Sequence, residues 1–198
     1  MVYNCAIPSH AEHPDLRYGF MTLPRSLDET RTIAREADAA GWDWLGVADS
    51  PAVYGESYVH QAVALSETTR ISVGPLVSHV VVRHPLVVGN LLATLVELGG
   101  HRSIGTLATG NSAARGLGMS PAALGDLRAA VDAIRGYWAG IGATLEDSHI
   151  PASGLRRDGC PLIIAADGPR AAQLLMSALR ALPAARRRQA RRGAPAAR

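Results

Sequence analysis

Apolar segments of two kinds alternate along the chain. Short continuous runs rich in β-branched and aromatic residues predict strands, at residues 16–23, 42–48, 71–82, 103–108 and 160–166. Longer stretches with apolar residues three and four positions apart predict helices, at residues 27–40, 58–67, 85–98, 121–138 and 168–182. A strand followed by a helix, repeated along the whole chain, is typical of a parallel sheet with right-handed crossovers.

Helix-capping residues and a Gly-Pro interruption define several of these bounds more closely. Ser26 followed by Glu29 is a capping box, and Gly41 supplies a helix stop. Ser120 before Pro121 predicts a second N-cap, and a Gly-Pro pair inside the third strand predicts a bend or bulge. An open doubly wound sheet, complete with about five strands, and a (β/α) barrel, which needs eight, both satisfy this order. Periodicity alone does not choose between them.

Composition predicts one globular domain. The chain has 198 residues, of which 47% are hydrophobic, and no apolar run approaches the roughly eighteen residues of a membrane span. The N-terminus lacks the pattern of a secretory signal, so we expect a soluble, cytoplasmic protein without a membrane partner. Cys5 and Cys160 are far apart and have no metal-ligand spacing, which indicates two reduced thiols.

The positive charge is concentrated at the C-terminus. All 20 cationic residues are arginine, and the 13 that precede residue 180 face 17 acidic residues, which leaves the body with a net charge of −4. A nucleic-acid partner is therefore not expected for the body. The other seven arginines lie in the last nineteen positions, at Arg180, Arg186, Arg187, Arg188, Arg191, Arg192 and Arg198.

Candidate chemistry lies just after the strands, because ligands bind at the carboxyl ends of parallel strands in both architectures. The chain lacks a Gly-x-Gly-x-x-Gly or Gly-x-x-x-x-Gly-Lys motif, which argues against a dinucleotide or P-loop site. Four polar clusters remain, at residues 49–51 (Asp-Ser-Pro), 76–79 (Leu-Val-Ser-His), 109–112 (Thr-Gly-Asn-Ser) and 167–169 (Asp-Gly-Pro). The histidines without ligand-like spacing are interpreted as surface groups: His10, His13, His60, His101 and His149.

The order and spacing of these clusters resemble the luciferase-like superfamily of flavin- and deazaflavin-dependent oxidoreductases. Residues 34–49 (AREADAAGWDWLGVAD) are similar to its helix-strand opening, and residues 70–85 (RISVGPLVSHVVVRHP) to its third strand and the Arg-His-Pro entry to the next helix. Residues 109–117 (TGNSAARGL) resemble the Gly-Asp-Ser-Ala stretch of the deazaflavin-using branch, with Asn111 in place of the acid. Residues 161–174 (PLIIAADGPRAAQL) resemble a strand and turn that lead to a phosphate-contacting helix.

The resemblance implies a partial (β/α)8 barrel of about five strand-helix units and an oxidoreductase activity, by hydride transfer or monooxygenation. It implies coenzyme F420, the preferred cofactor, or FMN, and a small-molecule substrate. Asp49 and His79 would be the catalytic residues, and a non-proline cis peptide would lie around Leu76 and Val77. Cofactor contacts would come from Leu76, Val77, Ser78, Thr109, Gly110, Asn111, Asp167, Gly168 and Pro169.

Several positions also have a structural interpretation. Asp49 would suit a turn cap, and Ser50 stands where the family often has His, which weakens an acid-base role for this turn. His84 is expected to cap its helix rather than take part in the chemistry. Residues 109–111 suit a tight turn, and Asp167, where Ser is usual, would repel an anion.

The family pattern stops after residue 176. Residues 177–198 form an Ala/Arg-rich segment without apolar periodicity, which we interpret as a tail separate from an incomplete barrel over residues 1–176. A frameshift or premature end is one interpretation, and a basic tail that contacts nucleic acid or a membrane is another. Exposed strand edges would then favour a homodimer or a complementing chain. A non-catalytic remnant or half-barrel interaction fragment is the alternative to an enzyme.

Overall fold

The computed structural model describes residues 16–145, 148–154, 157–165, 168–169 and 173. Its helices are α1 Leu27–Ala40, α2 Ser57–Glu67, α3 Pro85–Gly99, α4 Asn111–Gly116 and α5 Leu124–Ala139, with a 3-10 turn over Gly100–Arg102. Its strands are β1 Gly19–Thr22, β2 Trp44–Val47, β3 Ser72–Pro75, β4 Ser78–His79, β5 Gly105–Ala108, β6 Ala143–Leu145, β7 Ser148–Ile150 and β8 Leu162–Ile164.

The main strands are parallel and lie side by side in chain order. β1, β2 and β3 form one group, β4, β5 and β8 form another, and a parallel bridge between Val73 and Ser103 links the two. β3 and β4 are the two halves of the predicted third strand, separated by the expected bend. This mixed α/β arrangement is a partial (β/α) barrel, and the described strands do not close it.

The hydrophobic core lies between the outer face of the sheet and the helices. Leu45, Val73 and Leu107 are at most 1% exposed and belong to the same cluster as helix residues such as Leu65 and Leu92. Burying each such side chain stabilises the fold by about 1.5–3 kcal/mol. Successive helices α1, α2, α3 and α5 contact one another, so they cover this face as a continuous outer layer.

Small residues on the opposite face let the strands bend. Gly46 and Gly74 are register partners in β2 and β3. A Cβ on Gly46 would lie 2.6 Å from the Leu76 side chain, and one on Gly74 would overlap the carbonyl of Ile104. The absence of a side chain at these positions lets Leu76 pack over Gly46 and lets the backbone before β5 approach Gly74.

Asp38 fixes the connection between α2 and β3. Its carboxylate accepts hydrogen bonds from the backbone N–H groups of Thr69, Arg70 and Ile71 at 3.0, 3.1 and 2.6 Å. Burial alone would raise the pKa of Asp38, but these N–H groups and the Arg70 charge lower it below its ordinary value. The ionised form of Asp38 therefore stabilises the fold.

Most predicted bounds are confirmed, and one cap is wrong. Ser26 Oγ accepts from Glu29 N at 3.2 Å, and Gly41 ends α1 in the left-handed region with φ +91°. Helix α5, however, begins at Leu124, and Ser120 is not its cap. The preceding segment remains extended because the N–H of Ala122 donates to the carbonyl of Thr109 at 2.9 Å.

Two elements were not predicted. The short helix α4 begins at Asn111, directly after the tight turn at Thr109 and Gly110, and β6 and β7 form an antiparallel hairpin between α5 and β8. The last predicted helix, at 168–182, and the tail lie almost entirely outside the described residues. None of the described helices is long and apolar enough to cross a membrane.

Candidate functional site

A cleft of about 560 Å³ opens at the carboxyl ends of the parallel strands. Its walls come from the end of β2, the bend between β3 and β4, the β5–α4 connection and the residue after β8. Seven predicted site residues line it, namely Asp49, Leu76, Val77, His79, Thr109, Gly110 and Asn111. Other lining residues that the sequence did not single out include Met21, Leu23, Tyr54 and Ala165.

Of the other predicted site residues, none that the structure describes lines the cleft. Ser78 is fully buried behind the cleft wall and contacts Asp49 instead of lining the cleft. Gly168 and Pro169 are described but do not line the cleft, and Asp167 lies outside the described residues. A second depression of about 470 Å³ lies between β1 and α1, and its lining contains none of the predicted site residues.

Asp49 is a buried carboxylate just past the end of β2. It is 4% exposed, and its Oδ1 and Oδ2 atoms lie 3.0 and 2.8 Å from Nη1 of Arg83. Ser78 Oγ donates to Oδ2 at 2.7 Å. A carboxylate is costly to bury without a cation, so Arg83 allows Asp49 to occupy this position.

Arg83 bridges two acidic residues that come from different elements. Its Nη2 atom lies 2.9 and 2.8 Å from the two carboxylate oxygens of Glu56, which is the N-cap residue of α2. Its guanidinium carbon lies 5.2 Å from the centre of the Tyr58 ring, a cation–π distance. Tyr58 OH donates to Ser78 Oγ at 3.0 Å, so the contacts form a closed loop behind the cleft wall.

His79 combines deep burial with an unused polar atom. The residue is 1% exposed, and its Nδ1 accepts a long 3.5 Å hydrogen bond from the N–H of Val82. Its Nε2 atom has no hydrogen-bond partner among the described residues. Burial lowers the pKa of His79, Asp49 opposes this shift, and Arg83 adds to it, so the ring is neutral at pH 7.

The β5–α4 connection brings backbone close to His79. Gly110 has φ +83°, and a Cβ there would lie only 2.7 Å from Cβ of His79. Asn111 Oδ1 accepts from Arg115 Nε at 2.8 Å, which leaves the Asn111 amide N–H groups as the available donors. Across the cleft, the peptide bond between Leu76 and Val77 is cis, at the position that the resemblance implies.

Two histidine interpretations have different outcomes. His84 caps α3, since its Nδ1 accepts from the N–H of Leu86 at 3.2 Å, as predicted. The surface assignment of His60 is wrong: it is 5% exposed, and its Nδ1 lies 2.6 Å from Thr30 Oγ1. Packing of α2 against α1 buries the ring, and no local signal in the sequence indicates this contact. Cys160 is a free, buried thiol.

Sequence reasoning also missed Glu56, Tyr58 and Arg83. One signal for Arg83 was its position directly before the His-Pro pair that opens α3, since an arginine there lies at the polar end of the sheet. The volume of the cleft is in the range of small-molecule sites, and its lining combines apolar side chains, such as those of Leu76 and Val77, with polar residues such as Asp49 and Thr109. His79 is one of the lining residues, and its buried Nε2 is without a hydrogen-bond partner among the described residues.

The fold is that of a partial barrel of the parallel α/β class, with a cleft at the carboxyl ends of its strands. The model of the luciferase-like monooxygenase family matches residues 7–191, a range that extends into the predicted tail. The chain therefore belongs to the luciferase-like monooxygenase family. No curated protein sequence matches the chain significantly.

Three solved structures with the same fold match similar shares of this chain. A coenzyme F420-dependent tetrahydromethanopterin reductase from Methanopyrus kandleri is 16% identical to this chain, with a TM-score of 0.69. The match covers 80% of this chain and 52% of the reductase. An F420-dependent secondary alcohol dehydrogenase, in complex with an F420-acetone adduct, is 18% identical to this chain, with a TM-score of 0.68. The match covers 80% of this chain and 54% of the dehydrogenase. A monooxygenase from Streptomyces bottropensis is 18% identical to this chain, with a TM-score of 0.61. The match covers 77% of this chain and 54% of the monooxygenase. The chain thus spans about half the length of these proteins.

Proposed function

We propose that the chain is part of an oxidoreductase that binds a reduced deazaflavin or flavin in the cleft at the carboxyl ends of β2 to β8. The observation that carries this proposal is the pairing of a buried, neutral His79, with its Nε2 unused, and the glycine backbone at Gly110. Membership of the luciferase-like monooxygenase family supports the reaction class. The coenzyme would supply hydride or oxygen chemistry, and the protein would supply orientation and electrostatics.

The two walls of the cleft would hold different parts of the coenzyme. Leu76 and Val77 provide an apolar surface against which a ring can pack, while Thr109 and Asn111 provide donors for its polar edge or its side chain. Gly110 permits close approach because it lacks a Cβ. This arrangement favours a flat ligand held between the bend after β3 and the start of α4.

His79 and Asn111 would orient the reacting groups. The neutral ring of His79 has one nitrogen engaged by the N–H of Val82, so Nε2 carries the ring proton and is the atom that can donate to a ligand. The amide N–H groups of Asn111, on the adjacent β5–α4 connection, would donate to the same ligand, because its Oδ1 is engaged by Arg115. These groups fix the position of the ligand and exclude water from one face of it.

Coenzyme F420 is the preferred ligand and FMN the second. The preference rests on the Gly-Asn-Ser-Ala stretch at residues 110–113, which resembles the deazaflavin-using branch. Asn111 replaces an acid there, so the site presents an uncharged donor to the coenzyme. Two of the proteins with the same fold are F420-dependent, which is compatible with this preference.

Direct titration tests the proposal. The full chain is mixed with coenzyme F420 and, separately, with FMN, and the change in visible absorption or fluorescence gives the Kd of each. We expect saturable binding, with the tighter Kd for coenzyme F420. The absence of binding to either at high micromolar concentration would refute the proposal and favour a non-catalytic fragment.

A histidine pair provides the matched control. Changing His79→Phe removes the Nε2 donor and keeps a planar ring, whereas changing His101→Phe alters an exposed histidine outside the cleft. We expect weaker coenzyme binding for the first variant, by about tenfold, because a hydrogen bond is lost in a low-dielectric site. The second variant should bind like the wild type. Equal Kd values for both variants would contradict the assigned role of His79.

A further inference from the structure

Arg83 lies behind the cleft wall and is not one of the residues that line the cleft. Its side chain is 12% exposed, and it comes from the turn between β4 and α3. One guanidinium nitrogen faces Asp49, and the other faces Glu56. The Asp49 side chain is 2% exposed and that of Glu56 47%. Asp49 thus depends on Arg83 for charge compensation much more than Glu56 does.

The contacts of Asp49 leave one acceptor position open. Each carboxylate oxygen can accept two hydrogen bonds. Oδ2 accepts from Arg83 and from Ser78, whereas Oδ1 accepts only from Arg83 among the described residues. Asp49 is one of the residues that line the cleft, so a ligand bound there is a candidate partner for the open position on Oδ1.

The orientation of this carboxylate is fixed from two sides. Arg83 stacks on the ring of Tyr58, and the Tyr58 hydroxyl donates to Ser78, which in turn donates to Asp49. Because each member contacts the next, rotation of the Asp49 side chain would break several contacts together. The carboxylate of Asp49 is therefore held in one orientation at the edge of the cleft.

We propose that Arg83 is a positioning residue: it holds Asp49 as an oriented carboxylate whose open Oδ1 acceptor position binds a donor group of the ligand in the cleft. This inference rests on the proposed function, because it assigns a role in the same site. It assigns Asp49 the role of a fixed hydrogen-bond acceptor. The expected ligand donor is an N–H or O–H of the coenzyme or the substrate.

A double-mutant cycle on the full chain tests the coupling. The variants are Asp49→Asn, Arg83→Met and the two together, and the readout is the Kd for coenzyme F420 and for FMN. We expect each single change to weaken binding about tenfold, because a hydrogen bond to a charged acceptor is lost. The double variant should bind as Asp49→Asn alone does, since Arg83 acts through Asp49. Losses that multiply in the double variant would overturn the inference.

Controls separate positioning from general damage to the fold. Arg35→Met removes an arginine that pairs with Glu67 on the surface, outside the cleft lining, and should leave the Kd unchanged. Arg83→Met leaves Asp49 buried without its cation, and circular dichroism shows whether that variant folds. The double variant has no such uncompensated carboxylate, so its comparison with Asp49→Asn decides the question even if Arg83→Met does not fold.

A second readout needs no coenzyme. The charged groups that act on His79 are Asp49, at the end of β2, and Arg83, before α3. The His79 titration, followed by NMR in the ligand-free protein, should therefore move to higher pH in Arg83→Met and to lower pH in Asp49→Asn. An unchanged titration in Arg83→Met would overturn the inference. If neither coenzyme binds the wild type, the proposed function fails, but this titration still tests the effect of Arg83.

Discussion

Gly110 provides the most direct test of the site geometry. It precedes α4 as its N-cap residue with φ +83°, and a Cβ added there would lie 2.7 Å from Cβ of His79 and 3.1 Å from its Cγ. Carbon atoms in favourable contact are about 3.5–4.0 Å apart. An alanine at this position would therefore push His79, or the β5–α4 connection, by a large part of an ångström. Gly118 offers a matched control, because it has φ +72° but a Cβ added there would meet nothing within 4 Å.

The two substitutions share one energetic cost and differ in another. The left-handed backbone costs an alanine about 1–2 kcal/mol at either position. At Gly110 the overlap with His79 adds the cost of overpacking, about 1–3 kcal/mol. We therefore expect Gly110→Ala to lower the free energy of unfolding by about 2–5 kcal/mol and Gly118→Ala by about 1–2 kcal/mol.

Urea denaturation followed by circular dichroism measures both free energies, and coenzyme titration of the folded variants measures the effect on the site. Gly110→Ala should also weaken binding, because His79 is displaced, whereas Gly118→Ala should bind like the wild type. Equal destabilisation by the two variants, together with equal coenzyme Kd values, would refute the close approach of Gly110 to His79.

Three further predictions concern stability. Asp38→Asn should lower the free energy of unfolding at neutral pH by about 1–3 kcal/mol. Because the folded-state pKa of Asp38 is lowered, this difference from the wild type should be complete above the unfolded-state pKa of about 3.9. It should shrink as the pH falls through the folded-state pKa, which urea denaturation at several pH values can measure. Trp138→Phe removes the 2.8 Å hydrogen bond from the indole N–H to the carbonyl of Gly89, and should lower the free energy of unfolding by about 1–3 kcal/mol in the same assay. Leu107→Ala opens a cavity at a fully buried position, and should cost about 2–5 kcal/mol; a smaller loss than that of an exposed substitution such as Val53→Ala would contradict the packing.

A C-terminal tail separate from the barrel, and a homodimer or complementing chain, remain predictions. Deleting residues 183–198, the part of the tail that follows the last predicted helix, should leave the secondary structure measured by circular dichroism unchanged. A homodimer or a complementing chain is expected from the exposed apolar side chains on the sheet, such as Met21 at 50% and Ile163 at 44%. Analytical ultracentrifugation of the full chain would measure the oligomeric state.

Local sequence rules account for most of the elements and for the end of the sheet at which the site lies. Ser26 caps α1 through a hydrogen bond three residues away, and Gly41 ends that helix because glycine tolerates positive φ. The polar clusters after the strands converge because parallel strands share one carboxyl edge. The sequence alone therefore places Asp49, His79 and Gly110 at the same end of the sheet.

The contacts within that site depend on tertiary packing. Arg83 and Asp49 are thirty-four positions apart, and their contact depends on the bend after β3 and on how α2 and α3 pack on the sheet. His60 is buried for the same reason, since its partner Thr30 lies on another helix. Such contacts join surfaces that local propensity and periodicity do not describe. The sequence predicts where polar groups gather, whereas packing decides which of them are neutralised, oriented or left open to a ligand.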